Sequence, residues 1–323
     1  MALSLSHAQT LHRGLGPEPD SLDIHRAQSL SALNVLRDLH EGLISLDARA
    51  ELISGLADRW TVSDDGLIWT FWLREDARWS DGSPVTAKDM VAGWQRLLDP
   101  ATASPQAAWL DRVRSAVAIR NGRLPPDRLG IEAISDHQLL IHLERPTAWL
   151  AELLTHPATF PWPGDDVPRY SGPFVLDDQV PGSHIDLTAN PEWHAAEQVR
   201  LEAVRWHAIE EPTVELNRYR ANELHITETI PPGRLDWLRE QFGAELRISP
   251  YLGSFFLTFN VARAPFRNQA ELRRALSLVL DRQLLTERVL GSGELPADRL
   301  IPPGMPGWPG DYAMSDEDMA ARR

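Results

Sequence analysis

The sequence predicts a soluble globular protein in which strands and helices are mixed along the chain. Three observations support this prediction. The chain has 323 residues, enough for two or three domains, and 43% of them are hydrophobic while 24% are charged, as in globular proteins. Segments with alternating apolar residues are interspersed with segments whose apolar residues recur at helical spacing. No stretch approaches the roughly 18 consecutive apolar residues of a membrane span.

The N-terminal region begins with a strand and a helix. The segment TLHRGLG starts as a short strand and continues into a loop rich in Gly and Pro. Leucines at positions 30, 33, 36 and 39 then predict a helix that ends near Glu41. Farther along, LIWTFWL alternates and predicts a strand with Trp69, Phe71 and Leu73 on one face.

The segment RWSDGSPVTAKDMVAGWQRLLDP specifies one corner in detail. A tight turn at residues 80–82 leads to Thr86, a good helix N-cap, and Asp89 completes the pattern of a capping box. Apolar residues at helical spacing follow as far as Leu98, and Asp99-Pro100 stops the helix. No residue of this corner belongs to a catalytic or metal-binding pattern, so the careful specification needs another reason.

The middle of the chain predicts three strands, a helix and a short fourth strand. A turn at Asp136 precedes an alternating strand, and FPWPGDDVPRYSGPF indicates a passage between domains. HIDLTANPEW and LEAVRWHAI then predict a pair of strands. Pro212 opens a helix that ends at Asn222, a residue suited to the left-handed conformation, and LHIT predicts a short strand after it.

The last region, from Gly253, predicts one strand and two helices. FFLTFN has the pattern of a strand, and Asn268 is the predicted cap of a helix with Glu271 at its third position. Leucines 272, 276 and 280 with Val279 form the predicted buried stripe of that helix. Asp281 is the predicted cap of a second helix through Val289, and a further cap is predicted at positions 315–318.

Composition argues against several functional classes. The net charge of −14 disfavours a nucleic-acid partner, because phosphate contacts need clustered positive charge. The absence of cysteine excludes disulfides and thiolate ligands, and no two of the 11 histidines lie four positions apart, so no helical metal site is predicted. No nucleophile elbow, phosphate loop or dinucleotide motif is present, so we expect neither an enzyme nor a bound cofactor.

The first eight residues, MALSLSHA, fit the end of a signal peptide because Ser6 and Ala8 match the small-x-small cleavage pattern. A frayed terminus is the alternative. Among residues that could contact a ligand, His156 in LLTHPATFP and Trp109 lie in loops. A structural role for His156 and a packing role for Trp109 remain open as alternatives.

Five segments of the chain carry a family resemblance: SLDIHRAQSLSALNVLRDLHEGLISLD, LADRW, WTFWLREDARWSDGSPVTAKDMVAGWQRLLDPATASP, NRYRANELHIT and FNVARAPFRNQAELRRALSLVLDR. They resemble the oligopeptide-binding proteins of bacterial ABC importers, within the extracytoplasmic solute-binding family that takes peptides and nickel. The corner WSDGSPVTAKD is specific to this family. In the family it belongs to a small domain that frames the ligand cleft, so the resemblance implies an architectural role for the corner.

The resemblance implies a two-lobed α/β fold of the periplasmic-binding-protein type II, with mixed sheets, in its three-domain peptide-binding variant. The expected organisation is a possible signal-peptide remnant at 1–8, domain I at 9–46 and 169–252, an inserted domain II at 47–168, and the start of domain III at 253–323. The family continues beyond the position of Arg323, so we expect this chain to hold a C-terminally incomplete fold. Family residues for the peptide's termini lie in that continuation.

The resemblance also implies a set of ligand-binding residues. Eight positions match ligand-lining positions of the family: Gln28, Leu30, Gln106, Trp109, His156, Glu228, Thr229 and Phe256. Leu30 would act through its backbone. An ordinary loop or core role is the alternative at each of these positions.

The implied function is the periplasmic substrate-binding component of an ABC importer, which binds short peptides and delivers them to membrane permease subunits with their ATPases. A monomer is expected for the full-length protein. The alternative is the ligand-sensing domain of a transcription regulator on the same fold, which would need a helix-turn-helix before it. An enzyme is a third, less favoured hypothesis. Peptide length, side-chain preference and a restriction to cell-wall peptides stay open.

Overall fold

The computed structural model describes residues 10–165, 167–248 and 253–302. The chain forms two compact units, one reaching to Glu228 and one beginning at Thr229. The predicted signal-peptide remnant and the predicted cap at positions 315–318 lie outside the described residues.

The strands of the described residues form three sheets. Sheet A has the order β1-β10-β9-β8, sheet B pairs β2 with β3, and sheet C has the order β4-β5-β7-β6. The strand bounds are β1 Thr10–Gly16, β2 Ile44–Leu46, β3 Leu52–Ser54, β4 Ala57–Val62, β5 Ile68–Leu73, β6 Ile131–Ser135, β7 Gln138–His142, β8 Phe174–Val180, β9 His184–Ala189 and β10 Ala203–Ala208.

Eight α-helices accompany these strands in the described part of the chain. Their bounds are α1 Leu30–Leu39, α2 Ala87–Leu98, α3 Ala116–Arg120, α4 Leu150–Leu153, α5 Pro212–Arg220, α6 Leu235–Phe242, α7 Ala270–Val279 and α8 Arg282–Leu284. Within these described residues no helix combines the length and the apolarity that crossing a bilayer requires.

Sheet A is mixed, because β1 pairs with β10 in parallel while β8, β9 and β10 pair antiparallel. Alternate residues of a strand point to opposite faces, so Leu15 turns to one face with Val204 and Trp206. That face packs on α1 through Val35 and Leu39. The mixed α/β class predicted from the sequence is therefore present.

Sheet C is antiparallel and carries the specified corner. The predicted inward face of β5 is buried, and the capping box of α2 is present, with the Asp89 carboxylate accepting the N–H of Thr86 at 2.7 Å. Apolar residues of α2 fill the core beneath the sheet, with Trp94 fully buried. The corner thus supplies a capped helix and several buried side chains to the core beneath sheet C, and its architectural role in framing a ligand cleft stays a prediction.

Two details of the predictions for the first unit need adjustment. Helix α1 ends at Leu39 rather than near Glu41, because the His40 backbone is already extended. The segment LHIT is no strand: it forms a single bridge between Ile226 and Arg13, because only one residue pair reaches β1. The predicted left-handed Asn222 after α5 is confirmed, with φ 58°.

The second unit contradicts three sequence predictions. FFLTFN is irregular, and Phe255 is 92% exposed, because no strand among the described residues pairs with it. Helix α7 begins after Gln269 rather than Asn268, whose backbone is left-handed with φ 57°. The predicted buried stripe of α7 is not buried: it comprises Leu272, Leu276, Val279 and Leu280, all exposed.

The helix predicted after Asp281 is confirmed. The Asp281 carboxylate accepts the N–H of Leu284 at 2.9 Å, and α8 continues as a wider helical turn to Leu290.

Candidate functional site

The N-terminal end of α1 organises most of the residues predicted to bind ligand. The loop before it is closed by Asp20, whose carboxylate accepts the N–H of Gln28 at 2.9 Å and the N–H of Ser29 at 3.0 Å. Ser29 in turn caps the helix by accepting the N–H of Ala32. Gln28 and Leu30 are exposed on this fixed turn.

Leu30 lies in the first turn of α1, where backbone N–H groups have no acceptor within the helix. Its side chain is 53% exposed, although leucine is apolar. A backbone contact to ligand at this position, as predicted, would therefore use groups that the helix itself leaves available.

A second segment is fixed against this loop. The Arg96 guanidinium on α2 donates to both carboxylate oxygens of Asp23, at 2.9 and 2.6 Å, and the Ser104 hydroxyl donates to the His25 carbonyl. The Gln106 amide donates to the carbonyl of buried Ala27 at 3.2 Å. Gln106 is thereby held one residue from Gln28.

Gln106 also orients Trp109. The indole N–H of Trp109 donates to the Gln106 side-chain oxygen, so the polar atom of the ring is satisfied within the protein. The Trp109 ring stacks on the His156 imidazole, with centroids 4.6 Å apart and planes at 20°. The structure therefore brings three predicted residues, Gln106, Trp109 and His156, into one cluster beside the start of α1.

His156 has a structural bond as well. Its Nδ1 accepts the N–H of Ala158 at 3.1 Å and caps the short turn Pro157–Thr159. Burial, reinforced by the Arg37 cation, lowers the pKa of His156 to about 4. The ring is therefore neutral at pH 7 and offers a flat, uncharged surface to Trp109.

An open groove of about 320 Å³ adjoins this cluster. Trp109 is 42% exposed and Trp149 is 49% exposed in it, although both side chains are large and apolar. The lining is almost entirely apolar: Pro105, Ala108, Trp109, Trp149 and Leu153. The volume lies at the lower end of the ~300–1,000 Å³ typical of ligand pockets.

Glu228 contacts α1 one turn after the exposed start of the helix. Its carboxylate accepts the Asn34 amide at 3.2 Å and lies 3.5 Å from the Arg13 guanidinium. Burial raises the pKa of Glu228, against the opposing effect of Arg13. Asn34 is one helical turn after Leu30, so α1 connects Glu228 with the exposed start of the helix.

The two remaining predicted residues belong to the second unit. Thr229 is its first residue, and Phe256 is exposed in the irregular segment after Gly253.

Sequence reasoning missed the residues that hold the site in place. Asp20 bonds residues eight and nine positions later, while Arg96 and Asn34 bond residues 73 and 194 positions away. Only Asn34 carried a signal, because it lies four positions after Leu30 on a helix. Among the described residues no cluster of acidic and histidine side chains is arranged to hold a metal ion.

The chain matches the family described as bacterial extracellular solute-binding proteins, family 5, over residues 51–322. It is 36% identical over 313 residues to the periplasmic murein peptide-binding protein MppA of Escherichia coli K12, covering 92% of this chain and 58% of MppA. The solved structure of E. coli MppA superposes with a TM-score of 0.91 at 34% identity, covering 98% of this chain and 65% of that one.

Two further relatives carry different ligands in their names. The probable deoxycholate-binding periplasmic protein YgiS of E. coli K12 is 36% identical over 90% of this chain and 56% of its own length. Haemophilus influenzae OppA, solved in complex with the peptide RPPGFSPFR, has a TM-score of 0.87 at 33% identity, covering 92% of this chain and 60% of that one. The chain thus spans less than three fifths of the length of these curated relatives.

Proposed function

The chain belongs to family 5 of the bacterial extracellular solute-binding proteins, and we propose that its full-length protein is the peptide-binding component of an ABC importer. It would bind short peptides in the periplasm and deliver them, as a monomer, to membrane permease subunits with their ATPases. MppA and OppA, named for peptide binding, support this proposal. A nucleic-acid partner is not expected, because the net charge is −14.

The observation that carries the proposal is the cluster of Gln106, Trp109 and His156 beside the exposed start of α1. An extended peptide can be held through main-chain hydrogen bonds, which are independent of its sequence. The exposed turn at Gln28 and Leu30 would supply such bonds. Trp109 and its groove would contact side chains of the peptide without requiring particular polar groups on them. Glu228, Thr229 and Phe256 are proposed ligand contacts on the same grounds of family position.

Peptide release to a permease requires a reversible closing step. In a two-lobed binding protein, ligand shifts a pre-existing equilibrium between open and closed lobes because it binds the closed state more tightly. The network of Asp23, Arg96, Ser104 and Gln106 would let the start of α1 and the Trp109 cluster move as one rigid wall.

A second candidate ligand is an amphipathic steroid such as deoxycholate. The specific observations are the 36% identity to YgiS, as high as to MppA, and the apolar groove with two exposed tryptophans. A steroid would use this groove but not the main-chain bonds at the start of α1. The two candidates therefore predict different effects of Gln106 and Trp149 substitutions.

Isothermal calorimetry of the full-length protein would test the proposal with tri- to pentapeptides, a murein tripeptide and deoxycholate. We expect binding heat with peptides. Gln106→Leu should weaken peptide binding about tenfold, or ~1.4 kcal/mol, since it frees both Trp109 and the Ala27 carbonyl. Gln179→Leu, an exposed glutamine on β8, is the matched control and should bind normally. If deoxycholate is the one ligand that gives binding heat, and Trp149→Ala abolishes that heat, the steroid rather than a peptide is the ligand.

We also propose that the protein performs no chemistry on its ligand. The family and the relatives described above are binding proteins rather than enzymes. Incubation of the full-length protein with peptides and chromogenic esters should leave them intact. Turnover that persists through a second, independent purification and is lost in His156→Phe would contradict this.

A further inference from the structure

Three histidines form a row on the face of sheet A that points away from α1. His12 on β1 and His207 on β10 lie with Nδ1 and Nε2 3.1 Å apart, and their rings stack with centroids 5.4 Å apart. The His225 ring, from the segment after α5, lies 5.6 Å from that of His12. The Arg218 guanidinium on α5 lies 3.3 Å from the other nitrogen of His207.

The contacts of this row fix the protonation state of each ring. An arginine can only donate, so His207 Nδ1 must accept from Arg218 and its proton must be on Nε2. His207 Nε2–H then donates to His12 Nδ1, which must also be unprotonated. The backbone N–H of His12 donates to His225 Nδ1 at 3.0 Å. All three imidazoles are therefore neutral, with Nδ1 serving as an acceptor in each.

The row fastens one segment to β1. The N–H of His225 donates to the His12 carbonyl at 2.7 Å, reciprocating the bond to its own ring, and the N–H of Gly14 donates to the Ile226 carbonyl at 2.9 Å. At the end of the segment, the N–H of Glu228 donates to the carboxylate of Glu215 at 2.9 Å. Residues 225–228 are thus held by a few bonds, and one of them, from the His12 N–H to His225 Nδ1, requires a neutral imidazole.

We propose that the His207–His12–His225 row is a proton-sensitive latch that holds residues 225–228 against β1 at neutral pH and releases them in acid. A proton added at any Nδ1 converts an acceptor into a donor that faces another donor. The latch is therefore lost by repulsion as well as by the loss of a bond. The segment concerned ends at Glu228, the last residue of the first unit.

The surrounding charges favour the neutral row. Burial, then the Arg218 cation, lowers the pKa of His207 to about 4, and burial with His225 lowers the pKa of His12. Because the pKa of each ring is lower in the row than in the released segment, the released state takes up protons at a higher pH than the fastened state. The latch is therefore complete above about pH 6.5 and weakens as the pH falls towards 4.

Most of the other charged groups facing the row form ion pairs with each other, and Glu228 has a pH effect opposite to that of the histidines. Arg205 pairs with Asp186, which also lies near His184, and Arg218 pairs with Glu223. Glu228 has a raised pKa because it is buried, so its protonation favours the folded segment in acid. Buried Glu215 faces Gly14 on the same side of the sheet. These are the titratable and charged groups that β9, β10, α5 and the segment itself turn towards the row.

Hydrogen exchange of the full-length protein, corrected for the intrinsic pH effect, would test the latch at pH 7 and pH 4.5. We expect peptides covering 10–16 and 223–228 to exchange at least about tenfold faster in acid, since each pH unit below the ~6.5 of a released histidine favours the released state about tenfold until the ring in the row also protonates. Asparagine places an oxygen where histidine has Nδ1 but takes up no proton. The double variant His12→Asn, His225→Asn should therefore lose less protection at pH 4.5 than the wild type, with His207 the one ring of the row that can still take up a proton.

The matched control is His142→Asn on β7, which lies near Glu132 in sheet C and outside sheet A, and it should release like the wild type. Unchanged protection of the wild type in acid, or equal release in the double variant, would overturn the proposal. If the double variant does not fold, nitrogen NMR of the wild type would test the proposal by showing which ring nitrogen of each histidine carries the proton. Neutral rings protonated at Nε2 support the latch, and a His207 protonated at Nδ1 at pH 7 overturns it.

Discussion

At the scale of single residues, His25 shows that a site can depend on a residue that belongs to no recognisable sequence motif. Its side chain is fully buried, and its Nδ1 lies 2.6 Å from the Arg96 guanidinium that also holds Asp23. Since arginine can only donate, Nδ1 of His25 must carry no proton, and the ring is neutral. Burial and then Arg96 lower its pKa to about 3. The sequence shows an isolated histidine in a loop and offers no reason to single it out.

The lowered pKa of His25 predicts a pH-dependent stability. A histidine in the unfolded chain protonates near pH 6.5. The contribution of His25 to the free energy of unfolding should therefore be complete above that pH and should decrease as the pH falls towards 3. The fall from this group is at most about 1.4 kcal/mol per pH unit. His25→Asn keeps an acceptor for Arg96 but cannot protonate. Urea unfolding at pH 6.5 and 4.5 should show a smaller loss in the variant, and equal losses would contradict the prediction.

Gly14 illustrates what the sequence could not predict at this scale. A Cβ there would lie 1.3 Å from a carboxylate oxygen of Glu215, a residue 201 positions later in the chain, so only glycine admits this contact. Such approaches depend on tertiary packing. In contrast, Asn222 was predictable as a left-handed residue, because the ending of a helix is a local event.

At the scale of elements, prediction succeeded where local signals and burial agree. The strand LIWTFWL and the capped helix α2 combine periodicity, turn chemistry and a covered apolar face. FFLTFN has the same periodicity as a strand but no pairing partner among the described residues, so its ladder cannot form. The candidate site was placed by family resemblance, while the bonds that hold it at Arg96 and Asn34 span 73 and 194 positions and had to come from the structure.

The capping box predicts a measurable contribution from Asp89. Its carboxylate accepts both the N–H of Thr86, at 2.7 Å, and the Thr86 hydroxyl, at 3.1 Å. Asp89→Ala leaves both donors without this partner and should lower the free energy of unfolding by about 1–2 kcal/mol in urea. The control is Lys88→Ala, on the same helix as Asp89, which removes an exposed ion pair with Asp136 and should change the free energy of unfolding by less than about 0.5 kcal/mol. Equal effects of the two variants would rule out a special role for the box.

At the scale of the whole chain, the two units differ in how much apolar surface each one buries. In the first unit, α2 alone buries six residues, including Met90, Trp94 and Leu97. In the second unit, α7 buries none, and Val279 is 81% exposed. Helices of this length depend on tertiary packing more than on intrinsic propensity. The α7 apolar face was predictable from its spacing, but whether anything covers that face is not a property of the helix sequence.

This contrast predicts different local stabilities within the 323-residue chain. Amide protection follows the buried contacts of an element, so residues 267–289 should exchange faster than α2 and its sheet by at least about tenfold, or ~1.4 kcal/mol of opening free energy. Hydrogen exchange followed by mass spectrometry would measure both regions in one sample, so that pH and temperature are matched. The change Val279→Ser should leave exchange in α7 almost unaltered, because an 81% exposed side chain contributes little burial. Strong, equal protection of both regions would show instead that the α7 face is covered in solution, and a concentration dependence of that protection would identify a second copy of the chain as the cover.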